Sequence, residues 1–248
     1  MNWQDNFSQQ ATIYAQYRPQ YPQVLYNFLQ KITPCHQLAW DCGTGNGQVA
    51  TQLATFFKKV VATDASASQL AVAKLSPKVE YRLAQAENSR LPSQSVDLIT
   101  VAQAIHWFDI AAFYQEVYRV AGEEAIIAIW GYGLLTISPA IDAIIHDLYV
   151  NILESYWDPQ RKHLDEAYQK IPFPFPVIPA PLIKMQLLWS LPELIGYLNT
   201  WSSVQKFIAV NHDNPITQIE PLLQRAWNSN SSLKPITWEI YLKVGKVK

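Results

Sequence analysis

Apolar positions along this chain recur in two periods, and the places where one gives way to the other mark its elements. Compact apolar runs predict strands at Leu38 to Trp40, 59–64, 79–84, 96–101 and 124–131. Between them, apolar residues at helical spacing predict helices over 48–57, 66–75 and 110–120. A longer helical stretch runs from Pro139 to Lys170 on Ile141, Ile144, Ile145, Leu148 and Ile152. Pro172, Pro174, Pro176, Pro179 and Pro181 then end it in a stiff connector. Residues 182–190 read as a strand and 192–229 as further helices. In 235–245, Ile236, Trp238, Ile240, Leu242 and Val244 alternate as a last strand. Ahead of everything, 8–31 read as one or two helices broken at Pro19 and Pro22, a cap that carries Tyr14, Tyr17, Arg18 and Tyr21. Such alternation predicts an α/β protein with a mostly parallel sheet covered on both faces and any ligand at the carboxyl ends of its strands.

Composition narrows the function classes more than the fold. With 248 residues the chain suits one elaborated α/β domain. Nineteen basic and 20 acidic residues give a net charge of -1, so neither nucleic acid nor an anionic membrane is an expected partner. Aromatic residues reach 12% and include nine tryptophans, which points to a pocket wall for a small, partly apolar ligand. Cys35 and Cys42 fit neither a disulfide framework nor a metal site. No apolar run approaches membrane-spanning length and the start lacks a leader pattern, so the expectation is a cytoplasmic protein that uses no metal.

The most informative stretch is Asp41-Cys42-Gly43-Thr44-Gly45-Asn46-Gly47, placed where the first strand turns into its helix. A second acid, Asp64, closes the next strand 23 residues later, where a carboxylate can accept hydrogen bonds from both hydroxyls of an adenosine ribose. A dinucleotide site wants its third glycine one residue later, at Gln48, so the pyrophosphate reading weakens. On spacing alone, a nicotinamide dinucleotide and S-adenosylmethionine both stay open.

The pattern Asp-x-Gly-x-Gly-x-Gly with its downstream acid resembles motif I and the second-strand acid of the class I S-adenosylmethionine-dependent methyltransferases. Ala86-Glu87, ahead of Leu91-Pro92, is similar to the pair that contacts adenine in that family, although Gln85 stands where an acid is common. Ala102-Gln103-Ala104-Ile105-His106-Trp107-Phe108-Asp109 and Tyr17-Arg18-Pro19-Gln20-Tyr21-Pro22 resemble signatures of its trans-aconitate methyltransferase-like subgroup. The likeness continues through Tyr156-Trp157, Thr200-Trp201-Ser202 and Val244-Gly245-Lys246, nearly the whole chain.

That resemblance implies a Rossmann-like, seven-stranded, mostly parallel sheet with an antiparallel last strand and a helical lid insertion. The implied single domain has a cap over 1–34, a cofactor core over 35–135, an insertion and connector over 136–181, and closing strands and helices over 182–248. The implied cofactor is S-adenosylmethionine, leaving as S-adenosylhomocysteine. Its contacts are expected from Asp41, Gly43, Thr44, Gly45, Gly47, Asp64, Ala65, Ala86, Glu87, Gln103, Tyr14 and Arg18. His106 is the candidate for removing a proton from a methyl acceptor or hydrogen-bonding to it. Trp107, Trp130, Tyr132, Trp157, Arg161 and Trp201 are the remaining candidates for a small-molecule wall, each also explicable as packing. The expected reaction is O-methylation of a carboxylate or hydroxyl. N- or C-methylation, and a silent cofactor-binding protein of the same fold, stay open beside it. A nicotinamide-dependent reductase is disfavoured by the glycine spacing.

Overall fold

A computed structural model describes residues 17–229 and 232–248 of the chain, so Tyr14 lies outside the described residues. The chain divides into two units. A sheet unit comprises Gln20–Gly133, Lys162–Ile183 and Ile240–Lys248, and a helical unit holds 17–19, Leu134–Arg161 and Lys184–Glu239.

Helix α1 (Gln23–Ile32) opens the sheet unit and buries Leu25, Tyr26 and Leu29. β1 (Leu38–Cys42), α2 (Gln48–Leu53), β2 (Lys59–Asp64), α3 (Ala67–Ala71), β3 (Val79–Leu83), β4 (Val96–Ala102), α4 (Ile110–Val120) and β5 (Ala121–Tyr132) follow in the expected alternation. The helical unit takes α5 (Pro139–Asp147), after which the chain returns with α6 (Lys162–Asp165). Then come β6 (Ile183–Trp189), α7 (Leu191–Asn199), α8 (Ser202–Asn211), α9 (Pro215–Trp227) and β7 (Lys234–Lys246).

The seven strands lie in the order β3-β2-β1-β4-β5-β7-β6. β1 pairs in parallel with β2 and β4, β2 with β3, and β4 with β5, while β7 runs antiparallel to β5 from Ile126↔Lys246 to Tyr132↔Ile240. Strand order reverses between β1 and β4. In open α/β sheets that reversal opens a crevice at the strands' carboxyl ends, because the connections on its two sides leave in opposite directions.

Alternate residues of the central strands fill the core below that crevice. Trp40, Ile99, Val101, Ile127 and Ile129 meet Phe113, Val117 and Val120 of α4. Burying each such side chain stabilises the unit by about 1.5–3 kcal/mol. The indole of Trp40 meets its polar need inside the sheet by donating to Thr63 Oγ1 at 2.9 Å. Asp97 ties the entry of β1, accepting from the amides of Gln37 and Leu38.

Three helices are shorter than their apolar periodicity predicts, each for a local reason. α2 stops at Leu53 because the amides of Thr55 and Phe56 bond three residues back, a tightened turn that drives Phe57 into the core. α3 is capped by Ser66 and ends at Ala71, and the amide of Lys74 is then captured by the carbonyl of Asn46. The stretch expected to be helical from Pro139 to Lys170 breaks into α5, a π turn (Leu148–Ile152), 3-10 turns at Glu154–Tyr156 and Pro159–Arg161, and α6. Pro159 has no amide to continue a helix across that break.

Candidate functional site

The turn after β1 is built from three left-handed residues, Gly43 (φ 68°), Gly45 (φ 56°) and Gly47 (φ 79°). A Cβ on Gly43 would stand 2.5 Å from the Cβ of Ala104, so the loop after β1 lies directly against the end of β4. Next to Gly45 the space is open apart from Gln69 Oε1 at 3.7 Å. Backbone with this freedom of approach and no side chain in the way is the cradle that an adenosine cofactor requires.

Two carboxylates hold the loop in place. Asp41, 1% exposed, accepts from Thr44 Oγ1 at 2.5 Å and from Thr100 Oγ1 at 2.7 Å. Burial pushes its carboxyl up to about 6, and the charge of Asp64 adds to the rise, while the Thr44 and Thr100 hydroxyls and the Ala50 amide oppose it. Burial and then the Asp41 charge raise the phenols of Tyr26 and Tyr81, the latter to about 12. Negative charge is thus concentrated beneath the glycine turn. Asp64 accepts from the amide of Gly45 at 2.7 Å with one oxygen and from the amide of Ser66 at 2.8 Å with the other. Half-buried Ala65 follows it into α3.

On the far side of the turn after β3, Ala86 is buried, and Glu87 Oε1 accepts from the amide of Asp109 at 2.8 Å. Glu87 therefore braces the start of α4, whose first turn Asp109 caps through the amide of Ala112.

At the end of β4, Gln103 is left-handed (φ 56°), an uncommon state for a residue with a Cβ. Its amide donates to the carbonyl of Trp130 at 2.8 Å and its Nε2 to the carbonyl of Tyr132 at 3.0 Å. Gln103 Oε1 and Trp130 Nε1 are buried with no hydrogen-bond partner among the described residues. Such atoms each cost about 1–3 kcal/mol unless a ligand or water meets them. The ring of Tyr21 stands edge-on to Trp130 (5.5 Å) and Tyr132 (6.2 Å). One turn on, the 3-10 segment Ile105–Trp107 presents His106, with half-buried Trp107 against it at 5.0 Å between centroids. His106 Nδ1 lies 3.0 Å from the phenol of Tyr168.

The other expected site residues belong to the helical unit. Arg161 donates to Tyr149 Oη at 2.7 Å and stacks 4.1 Å from the ring of Trp157. Trp157 donates to the carbonyl of Tyr149 and packs against buried Trp201. Arg18 reaches the carbonyl of Thr200 at 3.4 Å and covers the ring of Tyr197. These side chains form one aromatic and cationic cluster inside that unit.

Sequence reasoning missed Thr100 and Tyr168. Thr100 sits at an inward position of β4, where a hydroxyl is the cue for a buried acid opposite, while Tyr168 carries no sequence signal at all. Among the described residues no group of three or more His, Cys, Asp or Glu could hold a metal ion, and no helix is long and apolar enough to cross a membrane.

A methyltransferase domain family matches residues 40–129, the span from β1 into β5. A Dictyostelium discoideum protein that bears a methyltransferase name is 36% identical over 98% of this chain and 95% of its own length. A structure from Anaeromyxobacter dehalogenans, described as a type II methyltransferase, superposes with a TM-score of 0.86 at 38% identity. That match covers 93% of this chain and 98% of the other. A Bacillus halodurans structure, at 19% identity and a TM-score of 0.51 over 91% of this chain and 99% of its own, shares the fold. The glycine cradle between two acids, on this sheet order, therefore has a family: the chain belongs to the class I S-adenosylmethionine-dependent methyltransferases, with S-adenosylmethionine as its cofactor.

Proposed function

We propose that the chain methylates an oxygen, carboxylate or hydroxyl, of a small molecule by in-line displacement. The observation that carries this reading is the contact of Gly43 with Ala104, which brings the cofactor loop and the His106 turn to one crevice at the carboxyl ends of β1 and β4. S-adenosylmethionine supplies a methyl group already activated on a sulfonium, so the protein's work is to position the acceptor and exclude water.

In this reading Asp64 meets the ribose hydroxyls, and Asp41 acts on the methionine end through the loop it anchors. Gln103 Oε1 is the acceptor assigned to the methionine ammonium, a role supported by the cost of leaving that oxygen buried and unmet. Thr44, Ala65 and Ala86 line the cofactor, and Glu87 adds a side wall while bracing α4. Trp107, Trp130 and Tyr132 shape the apolar side, and His106 addresses the acceptor. The near-neutral charge balance supports a small acceptor, met in the cytoplasm, over a nucleic acid or membrane surface.

Calorimetry with S-adenosylmethionine, S-adenosylhomocysteine and NAD tests the cofactor side, and binding of NAD with neither sulfur compound would sink the reading. A labelled methyl donor offered with di- and tricarboxylates, fatty acids and phenols tests the chemistry. Label arriving on nitrogen or carbon, or tight cofactor binding with no transfer to any class, would replace O-methylation by another member of the fold's repertoire.

A further inference from the structure

We propose that Tyr168 is a positioning residue whose phenol fixes the orientation and tautomer of the His106 imidazole, holding the ring with its proton on Nε2. The inference rests on the reading of His106 as the group that addresses the acceptor.

Tyr168 lies 62 residues from His106 along the chain and meets it at Nδ1 at 3.0 Å, with the two rings stacked at 29° and 5.9 Å between centroids. A neutral imidazole carries one N–H, and the hydrogen bond made at one nitrogen decides where that proton sits. The phenol is the better donor of the two groups and the imidazole nitrogen the better acceptor, with ordinary pKa values near 10 and 6.5. Tyr168 therefore donates to Nδ1, and the ring proton stays on Nε2. A ring in that state offers an acceptor oxygen an N–H, and does so without first taking a proton.

The chain spends conformational energy to put the phenol there. Ala167 (φ 50°) and Tyr168 (φ 57°) are consecutive left-handed residues that are not glycine, each costing about 1–2 kcal/mol. Lys243 Nζ clamps the turn, donating to the carbonyl of Tyr168 at 2.6 Å and of Ile171 at 3.1 Å, and burial lowers its pKa. Gly131 of β5 leaves the room. A Cβ there would come within 2.6 Å of Leu164 Cδ1, 2.8 Å of a Tyr168 ring carbon and 3.0 Å of the Tyr168 hydroxyl oxygen. Strain, a half-buried cation and a missing side chain converge on one residue, and its hydroxyl faces the histidine at the end of β4. Packing alone would be served by phenylalanine.

The test is 15N NMR of the histidines in the full chain without cofactor near pH 8, with His106 assigned by its loss in His106→Gln. Expected is an unprotonated Nδ1 and a protonated Nε2 at His106. In Tyr168→Phe the ring should become a tautomer mixture, and kcat should fall on the order of 10- to 100-fold with KM for S-adenosylmethionine little changed. Gly131→Ala, which displaces the phenol without removing it, should move the same resonances and stands in if Tyr168→Phe does not fold. A proton found on Nδ1 of the unaltered chain would overturn the proposal. So would His106 signals and kcat that ignore both substitutions while His106→Gln is impaired, an outcome that leaves the methyltransferase reading intact. An unimpaired His106→Gln would remove the role of His106 itself and, with it, the reason to position the ring.

Discussion

The glycine turn after β1 and the corner that holds His106 both use left-handed backbone, yet only the first does so with glycine. Gly43, Gly45 and Gly47 have φ values of 68°, 56° and 79°, and Gln103, Ala167 and Tyr168 have 56°, 50° and 57°. Glycine takes that conformation at no steric cost, so the cofactor side is defined locally. The other residues take it only because contacts far along the chain hold them there: Trp130 and Tyr132 hold Gln103, and Lys243 and His106 hold Tyr168. One half of the site is therefore specified by residue type, the other by tertiary context.

The sharpest way to break this contrast is to give the glycine side a Cβ. Gly43→Ala combines left-handed strain with a collision at Ala104, where neither side is a flexible tip, so a loss of about 2–5 kcal/mol is expected in urea unfolding. Gly45→Ala meets open space and should cost only about 1–2 kcal/mol. Equal losses at the two positions would show that the close approach of Gly43 to β4 has no energetic weight.

Asp41 tests whether the cofactor side carries its own electrostatic cost. Its carboxyl titrates near 6 in the folded chain against an ordinary 3.8, so between those values the folded state keeps a proton that the unfolded state has lost. This group's contribution is full below pH 3.8, declines as pH rises to 6 and is absent above it, a change on the order of 2 to 3 kcal/mol. Urea midpoints measured from pH 4 to 7.5 should reveal this decline as the difference between the parent and Asp41→Asn. Parallel profiles would assign the titration elsewhere. Asp64→Ala should weaken S-adenosylhomocysteine binding by about 1.5–3 kcal/mol, since charge-assisted hydrogen bonds to ribose are lost and the Gly45 amide loses its acceptor. Unchanged affinity in calorimetry would place the ribose away from β2.

The same contrast explains what the sequence made legible. β2 at Lys59–Asp64 and α4 at Ile110–Val120 coincide with the segments read from periodicity, because both bury a continuous apolar face in one core. The loop from Asp41 to Gly47 was legible for the local reason already given. Glu87 shows the limit, since nothing in Ala86-Glu87 reveals that its carboxylate braces the amide of Asp109. The breakup of the stretch from Pro139 to Lys170 shows another, as apolar spacing survives across π and 3-10 turns whose hydrogen bonds it does not determine. Tyr168 falls in that broken stretch, so its role emerges only once β5 and β7 bring Gly131 and Lys243 to it.

The smallest expected effect probes the contrast from the other side. Ala167→Gly should raise stability by about 0.5 kcal/mol, because relief of about 1–2 kcal/mol of left-handed strain exceeds the added freedom of the unfolded chain, about 0.5–1 kcal/mol. At an ordinary helical or extended position the same change destabilises, so the sign alone is informative. The half-buried Ala167 methyl is small enough that lost packing does not reverse it. A urea midpoint that moves up with unchanged slope would show that the His106 corner holds strain that glycine can release. A midpoint that moves down would mean that the turn is set by the Lys243 clamp and the fit of Tyr168 beside Gly131, with the backbone of Ala167 contributing no strain of its own.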